Sequence, residues 1–348
     1  MRSRGLILPV LSSALSVLFV ACTTTTAPTA APPATATPIP SVSPTASHDV
    51  TTPSPAATPA TLTGSTLAAH VDATALLVHL DALQAIADDH GGHRATGSAG
   101  FDASVEYVTS VLASAGYDVA RQPFDANGIA SVNLLSEHQG AEDEVVILGA
   151  HLDSDVAGPG MNDNGSGVAA LLVIAERLRE LPAPQRTVRF AFWGAEEGGA
   201  FGSAAHVEAL EAAERARIVA YLNFDMLGSQ NAVRFVYDEA GAAPGSAAIT
   251  DLFAATFEDA GLGWEPIDLE GHSDHGAFAR AGIPTGGLFS GGFEPVTDAQ
   301  AAGSGGRAGE PADPCSHRAC DTIDNVDLAT LEELARIIAR VLVALAAS

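Results

Sequence analysis

Val145-Val146-Ile147-Leu148-Gly149-Ala150-His151-Leu152-Asp153-Ser154 opens on four branched apolar residues and closes on a histidine and an aspartate. An unbroken apolar run suits a strand covered on both faces, as in a parallel sheet, because a half-exposed strand would alternate. Polar residues just past the end of such a strand border the ligand crevice of an open α/β sheet. The pattern recurs twice. Val188-Arg189-Phe190-Ala191-Phe192-Trp193 runs into Gly194-Ala195-Glu196-Glu197, and Val219-Ala220-Tyr221-Leu222-Asn223-Phe224 runs into Asp225-Met226. Three strands thus deliver acids and a histidine to one edge.

Working outward, helical spacing is expected over 75–83, 99–115, 167–181 and 247–260, with one more helix before 219. Further strands are expected over 117–124, 131–135, 235–237 and 283–289. Helix and strand alternate, which predicts a single α/β domain with a mostly parallel central sheet and helices on both faces. The segment 328–347 is apolar enough to suggest a membrane span. Glu332, Glu333, Arg336 and Arg340 fall on one helical face, however, which predicts a docked amphipathic helix.

The chain has 348 residues, 47% of them hydrophobic, and a formal net charge of −26. All 16 basic residues are arginine. Without lysine there is no phosphate-loop lysine and no Schiff-base lysine, and the acidity argues against nucleic-acid or anionic-lipid surfaces as partners. Arg2 and Arg4 precede an apolar stretch over 6–20 that is short for a membrane span, the pattern of an export signal. Leu18-Phe19-Val20-Ala21-Cys22 resembles the lipobox of bacterial lipoproteins, with Phe19 where leucine is usual. That resemblance implies a signal segment 1–22, lipidation at Cys22 and anchoring at the outer face of a bacterial membrane; an ordinary cleaved signal and a secreted protein is the alternative. Residues 23–66, rich in Thr, Pro and Ala, read as an extended tether, and 67–348 as the globular domain. With Cys22 set aside, Cys315 and Cys320 are left as a pair in an oxidising compartment, or as two free thiols.

Two more segments carry chemistry: Gly160-Met161-Asn162-Asp163-Asn164-Gly165-Ser166-Gly167, and Asp313-Pro314-Cys315-Ser316-His317-Arg318-Ala319-Cys320-Asp321. Together with the three strand ends they resemble, in order and spacing, the co-catalytic di-zinc aminopeptidases of metallopeptidase family 28, especially the small secreted bacterial leucyl-type enzymes. The likeness runs from Gly91-Gly92-His93-Arg94 to Asp324-Asn325-Val326-Asp327. It implies two zinc ions: His151 and Asp225 on one, Glu197 and His317 on the other, Asp163 bridging. A bridging carboxylate goes with a metal separation of about 3.5–4 Å. It also implies Glu196 as general base, Asp153 orienting His151, a Cys315–Cys320 bridge holding His317, and Met226 and Phe289 lining a pocket for an apolar N-terminal side chain. The expected substrates are peptides with a free N-terminus, and the expected state is a monomer.

Three departures stand out. Ser316 occupies the place of a tyrosine that hydrogen-bonds the tetrahedral intermediate in relatives. His272 replaces an arginine before Ser273-Asp274-His275, where Ser273 is expected to cap a helix rather than His272 and His275 to hold a third metal. His70, Glu332 and Arg336 stand where relatives bind calcium, so no calcium site is expected. The rival readings are a carboxypeptidase or a glutaminyl cyclase of the same clan, or a non-catalytic binding lipoprotein. A carboxypeptidase needs a cationic grip on a C-terminal carboxylate, for which Arg318 is the candidate near these motifs.

Overall fold

The computed structural model describes residues 62–238 and 243–347. Eight strands form one sheet: β1 (Val119–Ala126), β2 (Ile129–His138), β3 (Glu142–His151), β4 (Arg186–Trp193), β5 (Ile218–Phe224), β6 (Phe235–Tyr237), β7 (Glu265–Ile267) and β8 (Thr285–Phe289). Their spatial order is β1-β2-β4-β3-β5-β8-β6-β7. The central strands β4, β3, β5 and β8 pair in parallel, as their unbroken apolar runs predict. The sheet turns antiparallel where β2 joins β4 and where β6 joins β8. Asn127 and Gly128, at φ 53° and 91°, form the two-residue turn between β1 and β2, the positive-φ pair that suits the twist of a tight hairpin.

Alternate residues of the central strands face two separate cores. Val146, Leu148, Phe190, Phe192, Leu222 and Phe224 join the larger one. It is covered by α2 (Ala73–Asp89), α3 (Ala99–Ser114), α4 (Ser166–Arg179), α7 (Ser246–Asp259) and α10 (Leu328–Ala346). Val145, Ile147, Ala191, Trp193 and Tyr221 point the other way, toward α5 (Phe201–Ala209) and α8 (His275–Arg280). The Tyr221 and Phe278 rings stack there at 3.8 Å. Short helices α6 (Ala212–Arg217) and α9 (Asp298–Ser304) complete the set.

The apolar 328–347 segment is α10, with Leu331, Leu334, Ile338, Val341 and Leu342 buried. Its polar face is tied down by Glu333 to Arg234 and by Arg336, which donates to the Val71 carbonyl at 2.9 Å and pairs along the helix with Glu332. No helix among the described residues is long and apolar enough to cross a membrane. Helix α1 (Gly64–Ala69) spans the expected domain start at 67. Thr63 caps it by accepting from the Thr66 N–H at 3.1 Å, and Leu67 and Ala68 are buried. The expected signal segment, Cys22 and the tether up to residue 61 lie outside the described residues.

Candidate metal centre

The side chains in question come from the C-terminal ends of β3, β4 and β5 and from two loops that close over them. His151 is the last residue of β3 and is 1% exposed. Its Nε2 lies 3.3 Å from Oδ1 of Asp163 and 3.3 Å from Oδ1 of Asp225. On the other side of Asp163, Oδ2 is 3.1 Å from His317 Nε2, which is also 3.1 Å from Glu197 Oε2. Two donor groups result, His151–Asp163–Asp225 and Asp163–Glu197–His317, each with its ligand atoms within 4.8 Å of one another. They share Asp163.

The loops are held by polar groups to which the sequence motifs gave no role, and by the expected Cys315–Cys320 bridge. Arg94 is fully buried, and its guanidinium donates to the carbonyls of Leu152, of Pro159 at 3.0 Å and of Gly160 at 2.8 Å. Burial lowers it to about 10. Asp321 accepts from the N–H groups of Asn162 and Asp163, at 2.9 and 3.1 Å, and so fixes the backbone that carries the shared carboxylate. The Asn164 side chain donates to the Phe224 carbonyl at 2.8 Å and accepts from the N–H of Gly167, which clips this loop to the end of β5. Cys315 and Cys320 are joined, with Cα atoms 5.2 Å apart. Five of the seven non-glycine residues at positive φ among the described residues border the cluster: Ala195, Ala200, Met226, Ser273 and His317. Such backbone gathers where a site demands it.

Two expected roles take a different form. His151 Nδ1 meets Asp153 through that residue's backbone carbonyl, at 3.1 Å. The Asp153 carboxylate stands 3.9 Å from the same ring nitrogen and accepts from the N–H groups of Glu196 and Glu197, at 3.0 and 3.4 Å. Ser273 does not cap α8; Asp274 precedes that helix without a side-chain cap. The Ser273 hydroxyl is drawn off to donate to Asp225 Oδ2 at 2.8 Å and accepts from Asn223 at 3.0 Å. His275 is buried edge-on against Tyr237. Ser316 donates to Asp163 Oδ2 at 3.2 Å.

Charge explains what the cluster asks for. Burial works to raise Asp163, but hydrogen bonds from His151 and His317 hold it well below the usual carboxylate range. The same contacts lift His317 to about 11, through Asp163 first and then Glu197. Burial would lower His151, yet the Asp225 charge and the contacts to Asp163 and Asp225 keep it well above an ordinary imidazole. Glu196 is pushed far up by burial, with Asp274 and Asp225 adding and His151 opposing. Burial also raises Glu197, whose Oε1 has no hydrogen-bond partner among the described residues. So many desolvated carboxylates facing two imidazoles are the donor set for divalent cations, and imidazole with carboxylate suits zinc.

A cleft of about 670 Å³ opens over the cluster. Asp163, Glu196, Glu197, Asp225 and His317 form its floor, and Met226, Leu269, Phe289 and Phe293 also line it. Residues 133–342 match the family model described as peptidase family M28. The chain belongs to peptidase family M28. Among M28-type relatives, leupeptin-inactivating enzyme 1 of Streptomyces exfoliatus is 43% identical over 262 residues, 73% of this chain and 57% of that protein. A probable lipoprotein aminopeptidase, LpqL, of Mycobacterium tuberculosis is 40% identical over 271 residues, 71% of this chain and 53% of its own. This M28 chain therefore spans a little over half the length of these relatives. Among solved structures, BSAP, a zinc aminopeptidase from Bacillus subtilis, superposes with a TM-score of 0.68 at 17% identity, covering 80% of this chain and 96% of that one. At that identity the likeness speaks for the fold.

Proposed function

We propose that the chain is an exported aminopeptidase that holds two zinc ions and removes the N-terminal residue of peptides. The observation that carries this reading is Asp163, whose two oxygens reach the imidazoles of His151 and His317 at 3.3 and 3.1 Å. One ion would be held by His151 and Asp225, the other by Glu197 and His317, with Asp163 between them. When bound, the pair of ions supplies Lewis-acid polarisation of the peptide carbonyl and acidifies water.

The remaining work falls to the chain's own residues. Glu196 faces the cleft from the turn after β4, and the Asp153 carboxylate fixes its N–H. There it takes a proton from the attacking water and passes it to the leaving amine. The free amine of the substrate is attracted to the carboxylates of the floor, which favours cleavage next to the N-terminus. Met226 and Phe289, with Leu269 and Phe293, give the cleft an apolar wall, supporting a preference for apolar N-terminal side chains. Ser316, already committed to Asp163, is too short to replace a tyrosine over the reacting carbonyl. The likeness to LpqL, a probable lipoprotein aminopeptidase, supports reading Cys22 as a lipid anchor that places the domain at the outer face of the membrane. Curated relatives named aminopeptidase favour this reading over the carboxypeptidase and cyclase alternatives, and the intact donor set favours it over a binding lipoprotein.

Hydrolysis of leucine p-nitroanilide by the chain lacking residues 1–61 tests it. The expected outcome is cleavage that a chelator abolishes and zinc restores, with the N-acetylated anilide untouched. Cleavage of the acetylated compound, or activity indifferent to the chelator, would contradict the reading.

A further inference from the structure

The chain has 42 acidic residues against 16 arginines, so an arginine without an acidic neighbour is unexpected. Most arginines of the described residues are committed: Arg189 to Glu137 and Glu214, Arg234 to Glu333, Arg336 to Glu332, Arg318 to the Pro314 carbonyl. Arg280, at the end of α8, is exposed, has neither hydrogen bond nor ion pair among the described residues, and lines the cleft over the metal centre. Its direction is set by two glycines. A Cβ on Gly276 would stand 3.0 Å from Arg280 Nη1, and one on Gly271 would stand 3.7 Å from the same atom. The guanidinium thus lies folded back over bare backbone, toward the lip formed by Gly271 and His272. Arg318, the sequence candidate for a cationic grip, is absent from the lining of this cleft, and Arg280 is the arginine found there.

We propose that Arg280 is a specificity residue that pairs with a carboxylate of the substrate. The cleft then carries an acidic floor for the free amine and a guanidinium for an acid, a match to short zwitterionic peptides. Each peptide residue spans about 3.3–3.6 Å, so a di- or tripeptide is the scale of ligand that a 670 Å³ cleft accommodates. A guanidinium presents a planar fork that takes a carboxylate through two hydrogen bonds. The carboxylate has two possible sources, the C-terminus of a short peptide or the side chain of an N-terminal Asp or Glu. The proposal rests on the aminopeptidase reading.

The test compares wild type with Arg280→Gln and Arg280→Lys, zinc-loaded, on Leu-Gly, Leu-Gly-amide, Glu-Gly-amide and acetyl-Leu-Gly. In Arg280→Gln the kcat/KM ratio of Leu-Gly to Leu-Gly-amide is expected to fall about three- to tenfold, mainly through KM, with partial rescue by lysine. A fall in the Glu-Gly-amide to Leu-Gly-amide ratio instead would support the proposal with the side chain as the source. If both ratios stay level, the proposal is overturned, and a lowered Tm alone would mark Arg280 as a helix-end stabiliser. Cleavage of acetyl-Leu-Gly would sink the aminopeptidase reading while leaving the Arg280 ratios readable. Should no peptide be cleaved, calorimetric binding decides: the excess affinity for Leu-Gly over its amide must fall in Arg280→Gln, and an unchanged excess overturns the proposal.

Discussion

Asp163 joins the two halves of the cluster, and its neighbours set how the site responds to pH. His317 is lifted to about 11 by Asp163 and Glu197, so near neutrality its imidazole holds a proton when no cation is present. A metal ion takes the neutral ring, and binding must release that proton. Zinc affinity is therefore expected to rise with pH between 6 and 8. Calorimetry in buffers of different ionisation enthalpy checks this: net proton release is expected, and binding without it would contradict the pairing of His317 with the two acids. At this scale the sequence was most legible where a residue follows an apolar strand, as His151, Glu196, Glu197 and Asp225 do. Ser273 and Arg280 were not legible. Ser273 reads as a cap because serine before a short helix does so in general, and only the approach of Asp225 and Asn223 draws its hydroxyl away. Arg280 reads as an ordinary helix-end cation until Gly271 and Gly276 are seen to let it fold toward the cleft.

Elements with one dominant period were recovered from sequence, and of the short ones β6 was recovered at 235–237 while β7, α8 and α1 were not. The buried runs of β3, β4 and β5 and the apolar face of α10 announced themselves, since each hides its face from water over many residues. β2 extends past the expected 131–135 to His138 because hydrogen bonding to β1 and β4 carries its polar end. β7 and α8, three and six residues long, give no periodic signal at all. α1 was hidden by the Thr- and Ala-rich composition that precedes it. Its Leu67 and Ala68 pack into the core, and a Cβ on Gly64 would meet the Arg340 Cα at 3.0 Å. A chain starting at residue 72 is expected to lose about 2–4 kcal/mol relative to one starting at 62, from exposing Leu67 and the surface it covers. Denaturant unfolding of the two chains reads this directly, and equal midpoints would show that α1 adds nothing.

At the scale of the molecule, the sheet and its two cores place three strand ends side by side, and the loops from 160–167 and 313–321 close over them with Asp163 and His317. The family is shown by the match over residues 133–342; the two-ion count and the role of Glu196 are the proposal that this arrangement supports. Zinc content and turnover, measured on the same preparations of wild type and Glu196→Gln, test this most directly. Two zinc ions per chain in both are predicted, with kcat on leucine p-nitroanilide lowered by about 10²–10⁴ in the variant, the range typical of a lost general base. One zinc per chain in the active wild type, or a variant that keeps its turnover with both ions bound, would contradict the account.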